Sequence, residues 1–129
     1  MDTRATLVMG ASDNPARYSF LAIRRLRAQE IPVRAIGRKK TVVADVPVET
    51  EMVPWDDIDT VTLYLNPQHQ EPYYNYLLSL HPRRIIFNPG AENPVLEKIA
   101  TAAGIHCMDA CTLVLLSTGQ YMEEPGHVS

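Results

Sequence analysis

Apolar residues come along this chain in short blocks, and each block ends in a turn-forming or chain-breaking residue. Ala5-Thr6-Leu7-Val8-Met9 runs into Gly10, and Pro32-Val33-Arg34-Ala35-Ile36 runs into Gly37. Thr60-Val61-Thr62-Leu63-Tyr64-Leu65 stops at Asn66-Pro67, Arg84-Ile85-Ile86-Phe87 at Asn88-Pro89-Gly90, and Ile105-His106-Cys107-Met108 at Asp109. Blocks this short and this apolar predict five buried strands. Between them the spacing turns helical. Phe20, Ile23 and Leu26 share one face of a first helix, which starts at an Asn14 cap with Pro15 in its first position or at a later Ser19 cap. Tyr73, Tyr76, Leu77 and Leu80 mark a second helix over 68–80, and Asn93-Pro94 opens a third that ends at Gly104. Residues 41–59 are irregular, with Thr41–Val43 and Val46–Val48 forming either a short hairpin or a covering loop. Asp109 to Leu116 reads as a final short helix or coil, and 117–129 as a loose tail.

Strands alternating with helices give a parallel sheet covered on both faces. With right-handed crossovers, the expected fold is α/β: a Rossmann-like, doubly wound, mainly parallel five-stranded sheet with helices on both faces. The chain of 129 residues fits a single domain, with its core at about residues 5–116. Ligands in such folds bind outside the carboxyl ends of the strands. Here those ends are Gly10–Ser12, Gly37–Lys40, Leu65–Pro67, Asn88–Gly90 and Asp109–Cys111.

Composition narrows the function classes. Apolar residues make up 46% and charged residues 21%, a globular balance that needs no disulfide framework. The net charge of −3 argues against a nucleic-acid partner, and no apolar run reaches the roughly 20 residues of a membrane span. The apolar run after Met1 is too short for a secretion signal, and the only cysteines are Cys107 and Cys111, so a cytoplasmic location is expected. Charge is nevertheless segregated. Eight cations lie between Arg17 and Lys40 against the single acid Glu30, whereas 41–82 has no Lys or Arg. An anion site in the first third is compatible with an acidic whole.

The first strand-to-helix turn suits a phosphate, because small residues let backbone N–H groups approach and the helix dipole favours an anion. Gly10, Ala11 and Ser12 are placed there, with Ser19 in the following helix. A bulky change such as Gly10→Val is expected to remove ligand binding and leave the fold intact. Only one glycine of the dinucleotide fingerprint is present. At the end of the second strand, an NAD site wants an acid for the ribose hydroxyls, and this chain offers Gly37, Arg38, Lys39 and Lys40. Cations there suit a phosphorylated ribose, which NADP and coenzyme A both carry, or else form a solvated basic loop. No catalytic set and no metal-ligand spacing is found among His69, His81, His106 and His127. Cys107 reads as a small buried hydrophobe. Cys111, at a strand's carboxyl end, reads either as structural or as a thiol in contact with the ligand, its reactivity opposed by nearby Asp109.

The order of these turns resembles the small stand-alone CoA-binding-domain proteins of bacteria, relatives of the N-terminal domain of the succinyl-CoA synthetase alpha subunit. Val8-Met9-Gly10-Ala11-Ser12 with Pro15 looks like that family's first-strand turn, and Val33-Arg34-Ala35-Ile36-Gly37 like its strand before the nucleotide loop. Asn88-Pro89-Gly90 stands at its glycine turn, and Ala102-Ala103-Gly104-Ile105 with Met108-Asp109 and Cys111 matches its final strand and Met-Asp-x-Cys element. The likeness covers about residues 5–115. Departures are Ile36-Gly37-Arg38 where the family usually has Val-Asn-Pro, and Ala110 where a basic residue is common.

What the resemblance implies is a non-catalytic CoA-binding module taking CoA or an acyl-CoA, with Leu65, Asn66 and Pro67 forming an adenine wall and Asn88, Pro89, Gly90 and Cys111 completing the site. An NADP-linked oxidoreductase, or an acyl-CoA-handling enzyme using Cys111, is the enzymatic alternative; a ligand-free interaction domain is the third. The expected partner is a small nucleotide, with a homo-oligomer possible.

Overall fold

A computed structural model describes residues 4–122. The strands are β1 (Ala5–Ala11), β2 (Val33–Gly37), β3 (Thr41–Val43), β4 (Val46–Glu49), β5 (Ile58–Leu63), β6 (Arg84–Phe87) and β7 (His106–Asp109). The helices are α1 (Tyr18–Ala28), α2 (Tyr74–Ser79), α3 (Pro94–Ala102) and α4 (Thr112–Ser117). All seven strands form one sheet in the order β3-β4-β2-β1-β5-β6-β7, parallel throughout except for the antiparallel β3–β4 pair. The mainly parallel, doubly wound α/β architecture is as expected. The two strands beyond the expected five are the hairpin in 41–49, which adds to the β2 edge through Ala35↔Val48 and Ile36↔Glu49. Its two-residue turn works because Ala44 adopts a positive φ of 55°, and the Arg27 guanidinium grips Asp45 at 2.8 and 2.9 Å, fastening the turn to α1.

Side chains alternate across the sheet and build two cores. Leu7, Met9, Val61, Leu63, Ile85 and Phe87 face α2 and α3. Val8, Ala35 and Ile86 face α1 and α4 with Ile23, Leu26 and Leu116. Three local expectations need correction. Helix α1 begins at Tyr18, and its N-cap Arg17 makes no side-chain bond; Asn14 instead closes the preceding turn, accepting the Ala16 N–H at 2.9 Å. The second helical stretch is two 3₁₀ turns, Pro67–His69 and Glu71–Tyr73, before a six-residue α2, because Pro72 cannot donate the N–H that an α-helix starting at 68 needs. At the chain's far end, residues 123–129 lie outside the described residues, and so does His127. Within them the core reaches past residue 116: Tyr121 is buried, its hydroxyl 2.5 Å from Thr6 Oγ1 and its ring under the Arg84 guanidinium at 4.5 Å. Tyr121→Phe keeps the ring and loses the hydroxyl bond, so urea unfolding is expected to show a loss of about 0.5–1.5 kcal/mol.

Candidate functional site

After β1 the chain forms β2 and then the β3–β4 hairpin outside it, with β4 beside β2 and β3 at the edge, and returns to β5 on the other side of β1. The carboxyl ends of β1 and β5 therefore diverge, and in doubly wound sheets this switch point opens a crevice. A cleft of about 1010 Å³ lies there. It is bounded by the β1–α1 turn, the β2–β3 loop and the segment after β5. Met9–Asp13, Ala16–Ser19, Ile36–Lys39, Thr41, Thr50, Tyr64–Asn66, Gln68, His69, Pro72, Tyr73 and Pro89 line it.

Gly10, Ala11, Ser12, Ser19, Gly37, Arg38, Lys39, Leu65, Asn66 and Pro89 of the expected residues are brought together in this cleft. The close approach of β1 to its neighbours depends on the first and fifth of these. Gly10 has φ +91°, and a Cβ there would stand 3.2 Å from the Leu65 nitrogen and the Tyr64 carbonyl carbon. A Cβ on Gly37 would stand 2.3 Å from the Ala11 carbonyl oxygen, where the β1–β2 register shifts between Met9 and Ala11. Gly10→Val is thus expected to disturb the β1–β5 join itself, contrary to the expectation of an intact fold.

The turn after β1 is rich in unused donors. Ser12 Oγ accepts the Asn14 N–H at 3.0 Å and keeps its own proton to donate. Among the described residues, the N–H groups of Ser12 and Asp13, in the turn before α1, have no acceptor, and neither do those of Tyr18 and Ser19, which the first turn of a helix leaves unpaired. Ser19 is buried and lies among the residues that line the cleft. Across the cleft Arg38 is exposed and, among the described residues, has no carboxylate partner. Lys39 Nζ lies 3.0 Å from Asp13 Oδ2, and Lys40 Nζ lies 3.4 Å from Glu49 outside the cleft. Hydrogen bonds from Lys39 and Thr41 hold the Asp13 carboxyl below the usual carboxylate range. Burial pushes the Tyr64 hydroxyl up to about 12, so it stays protonated at neutral pH.

Four expected residues stand elsewhere. Asn88 is buried, and its amide is fully engaged: Nδ2 donates to Thr62 Oγ1 at 2.7 Å and to Leu63 O at 2.9 Å, while Oδ1 accepts the Thr112 N–H at 2.9 Å. Cys111 is half-buried as the N-cap of α4 and does not line the cleft. Gly90 sits in a turn at φ +92°, its N–H donating to Glu92. Pro67 is exposed in the first 3₁₀ turn. Asn88 and Gly90 follow β6 and Cys111 follows β7, one and two strands beyond β5, and of the turn after β6 Pro89 alone is among the lining residues; Pro67 follows β5 itself but does not line the cleft.

Residues that sequence reasoning missed are Asp13, Arg17, Thr41 and, behind the wall, Gln70. Gln70 is buried and donates to Leu65 O at 2.9 Å and Ala91 O at 2.8 Å, while its Oε1 accepts from Asn93, the cap of α3. This network fixes the Leu65–Asn66 wall to the loop after β6. No group of three or more His, Cys, Asp or Glu among the described residues is placed to hold a metal, and no helix there is long and apolar enough to cross a membrane.

Among solved structures, the chain is similar to an uncharacterized protein with 45% identity and a TM-score of 0.88, over 91% of this chain and 97% of that one. A hypothetical protein from Pyrococcus horikoshii OT3 shares the fold at 19% identity and a TM-score of 0.80, over 89% of this chain and 82% of that one. So does dinucleotide forming acetyl-coenzyme A synthetase 1 of Ca. Korarchaeum cryptofilum, solved with phosphate and ADP, at 16% identity and a TM-score of 0.66, over 82% of this chain and 25% of that one. No curated protein matches the chain. The family described as CoA binding domain matches residues 4–117, nearly the whole chain. On that match, the chain belongs to the CoA-binding domain family.

Proposed function

We propose that this chain is a non-catalytic module that binds coenzyme A, or an acyl-CoA, in the cleft between β1 and β5. One observation carries the reading: in a chain of this family, the unpaired N–H donors of the β1–α1 turn and the cations after β2 line one cleft at the switch point. The pyrophosphate rests on the Gly10-Ala11-Ser12 turn and the amino end of α1, where backbone donors and the helix dipole meet an anion without a lysine. The Ser12 and Ser19 hydroxyls add donors. Arg38 and Lys39 receive the ribose 3′-phosphate, with Arg17 as a third cation on the cleft. Leu65 and Asn66 form one wall for the adenine, held by Gln70 behind them. The stretch by Pro72, Tyr73 and Pro89 takes the remainder of the ligand. Cys111 lies off this path, which supports binding over thiol chemistry.

A thermal-shift series with CoA, acetyl-CoA, NADP and ATP tests the reading. A ligand bound only to the native state stabilises it by RT ln(1 + [L]/Kd), about 2.7 kcal/mol at a hundredfold excess over Kd. CoA and acetyl-CoA are expected to raise Tm alike, because the acyl group adds no contact with the phosphate sites, and ATP less. Stabilisation by NADP with none by CoA would overturn the assignment in favour of a dinucleotide enzyme. No stabilisation by any of them would favour a ligand-free domain.

A further inference from the structure

Asp13 stands in the phosphate-binding turn, an unfavourable place for a carboxylate, and the structure shows what it does there. Its Oδ2 accepts the Thr41 hydroxyl at 3.0 Å and lies 3.0 Å from Lys39 Nζ. Asp13 thereby reaches from the β1–α1 turn to the loop after β2, and all three residues line the cleft. The carboxylate occupies the ammonium and the hydroxyl that a ligand phosphate would need. It does so loosely: the side chains of Lys39 and Asp13 are 71% and 39% exposed, and such pairs are weak and screened by water.

We infer that Asp13 is an internal competitor, an anion that a ligand's terminal phosphate must displace from Lys39 and Thr41. This rests on the proposed CoA site and adds to it a device that sets how tightly a terminal phosphate is held. A phosphomonoester carries up to two charges and three terminal oxygens, enough to outcompete one carboxylate for a lysine and a hydroxyl. A bridging phosphodiester carries one charge and only two free oxygens, and gains little from the exchange. Asp13 therefore lowers the affinity of the site for a nucleotide ribose with a terminal phosphate and leaves the same nucleotide with a bare ribose untouched, so it narrows a preference that Arg38 and Lys39 set. Arg38, with no carboxylate partner among the described residues, makes the first contact, and Lys39 follows once Asp13 lets go.

Calorimetric titration of the wild type and Asp13→Asn with CoA, dephospho-CoA and adenosine 3′,5′-bisphosphate tests this. Asparagine keeps the shape and removes the charge. Asp45→Asn, which makes the same net-charge change at the Arg27 pair away from the cleft, serves as the control. The expected result is that Asp13→Asn binds CoA and the bisphosphate about two- to fivefold more tightly, leaves dephospho-CoA unchanged within error, and differs from Asp45→Asn in both. An equal gain for all three ligands, a gain matched by Asp45→Asn, or any loss of affinity would overturn the inference. If CoA binds to neither protein while the bisphosphate does, the CoA reading fails and the bisphosphate titration alone decides the role of Asp13. If neither ligand binds, both fail.

Discussion

Gly37→Ala is expected to lose about 1–3 kcal/mol of folding stability, although Gly37 has no unusual backbone angle and the change adds one methyl group. The cause is distance. The added Cβ falls 2.3 Å from the Ala11 carbonyl oxygen and 3.0 Å from Val48 Cγ1. The first of these neighbours is backbone, so no rotamer change relieves it; β1 or β2 must move. The two strands meet here at a register shift, with Ala11 opposite Gly37 and Met9 opposite Ile36. Any movement opens the floor of the cleft, so CoA affinity is expected to fall together with the denaturant midpoint. A Gly37→Ala protein with wild-type midpoint and affinity would show that the close approach does not matter.

Asn88→Ala is the second large effect, and it separates structure from binding. Asn88 joins β5 to the start of α4: it donates to Thr62 Oγ1 and Leu63 O and accepts from the Thr112 N–H. Leu63 O keeps the Asn88 backbone N–H at 3.3 Å, and Thr62 keeps its bond to Thr112 Oγ1 at 2.8 Å. The Thr112 N–H is left buried without an acceptor, at a cost of about 1–3 kcal/mol before the cavity is counted. Urea unfolding is expected to show that loss. CoA affinity, measured well below the new midpoint, is expected to stay within about twofold of wild type, because Asn88 does not line the cleft. A folded Asn88→Ala protein with a large affinity defect would return the residue to the binding site.

The strands were legible because every apolar block is closed by a breaker, and the doubly wound rule then pointed to the carboxyl ends, where the cleft opens. That rule treats all carboxyl ends alike. Gly10–Ser12, Gly37–Lys39 and Leu65–Asn66 flank the divergence of β1 and β5 and line the cleft, whereas Asn88, Gly90 and Cys111, at the ends of β6 and β7, do not. Ser19 was placed at the cleft, but as a possible helix cap it was misread, because Arg17 takes that position without a side-chain bond. Asp13 went unread for a different reason. Its partners Lys39 and Thr41 lie 26 and 28 residues away along the chain, and only the folded sheet brings the two loops together. Gln70 was likewise hidden within a segment read by its tyrosine spacing, where Pro72 had already broken the helix.

The central claim is that the cations after β2 recognise a phosphorylated ribose. Its most direct test is calorimetric titration of the wild-type protein with CoA and with dephospho-CoA, which differ only in the 3′-phosphate. A well-formed charged contact is worth about 1.5–3 kcal/mol, and each 1.4 kcal/mol is tenfold in affinity. CoA is therefore expected to bind about ten- to a hundredfold more tightly, with the gap narrowing in Arg38→Ala and at high salt. Equal affinity for the two ligands would contradict the account and leave Arg38 and Lys39 as a solvated basic loop.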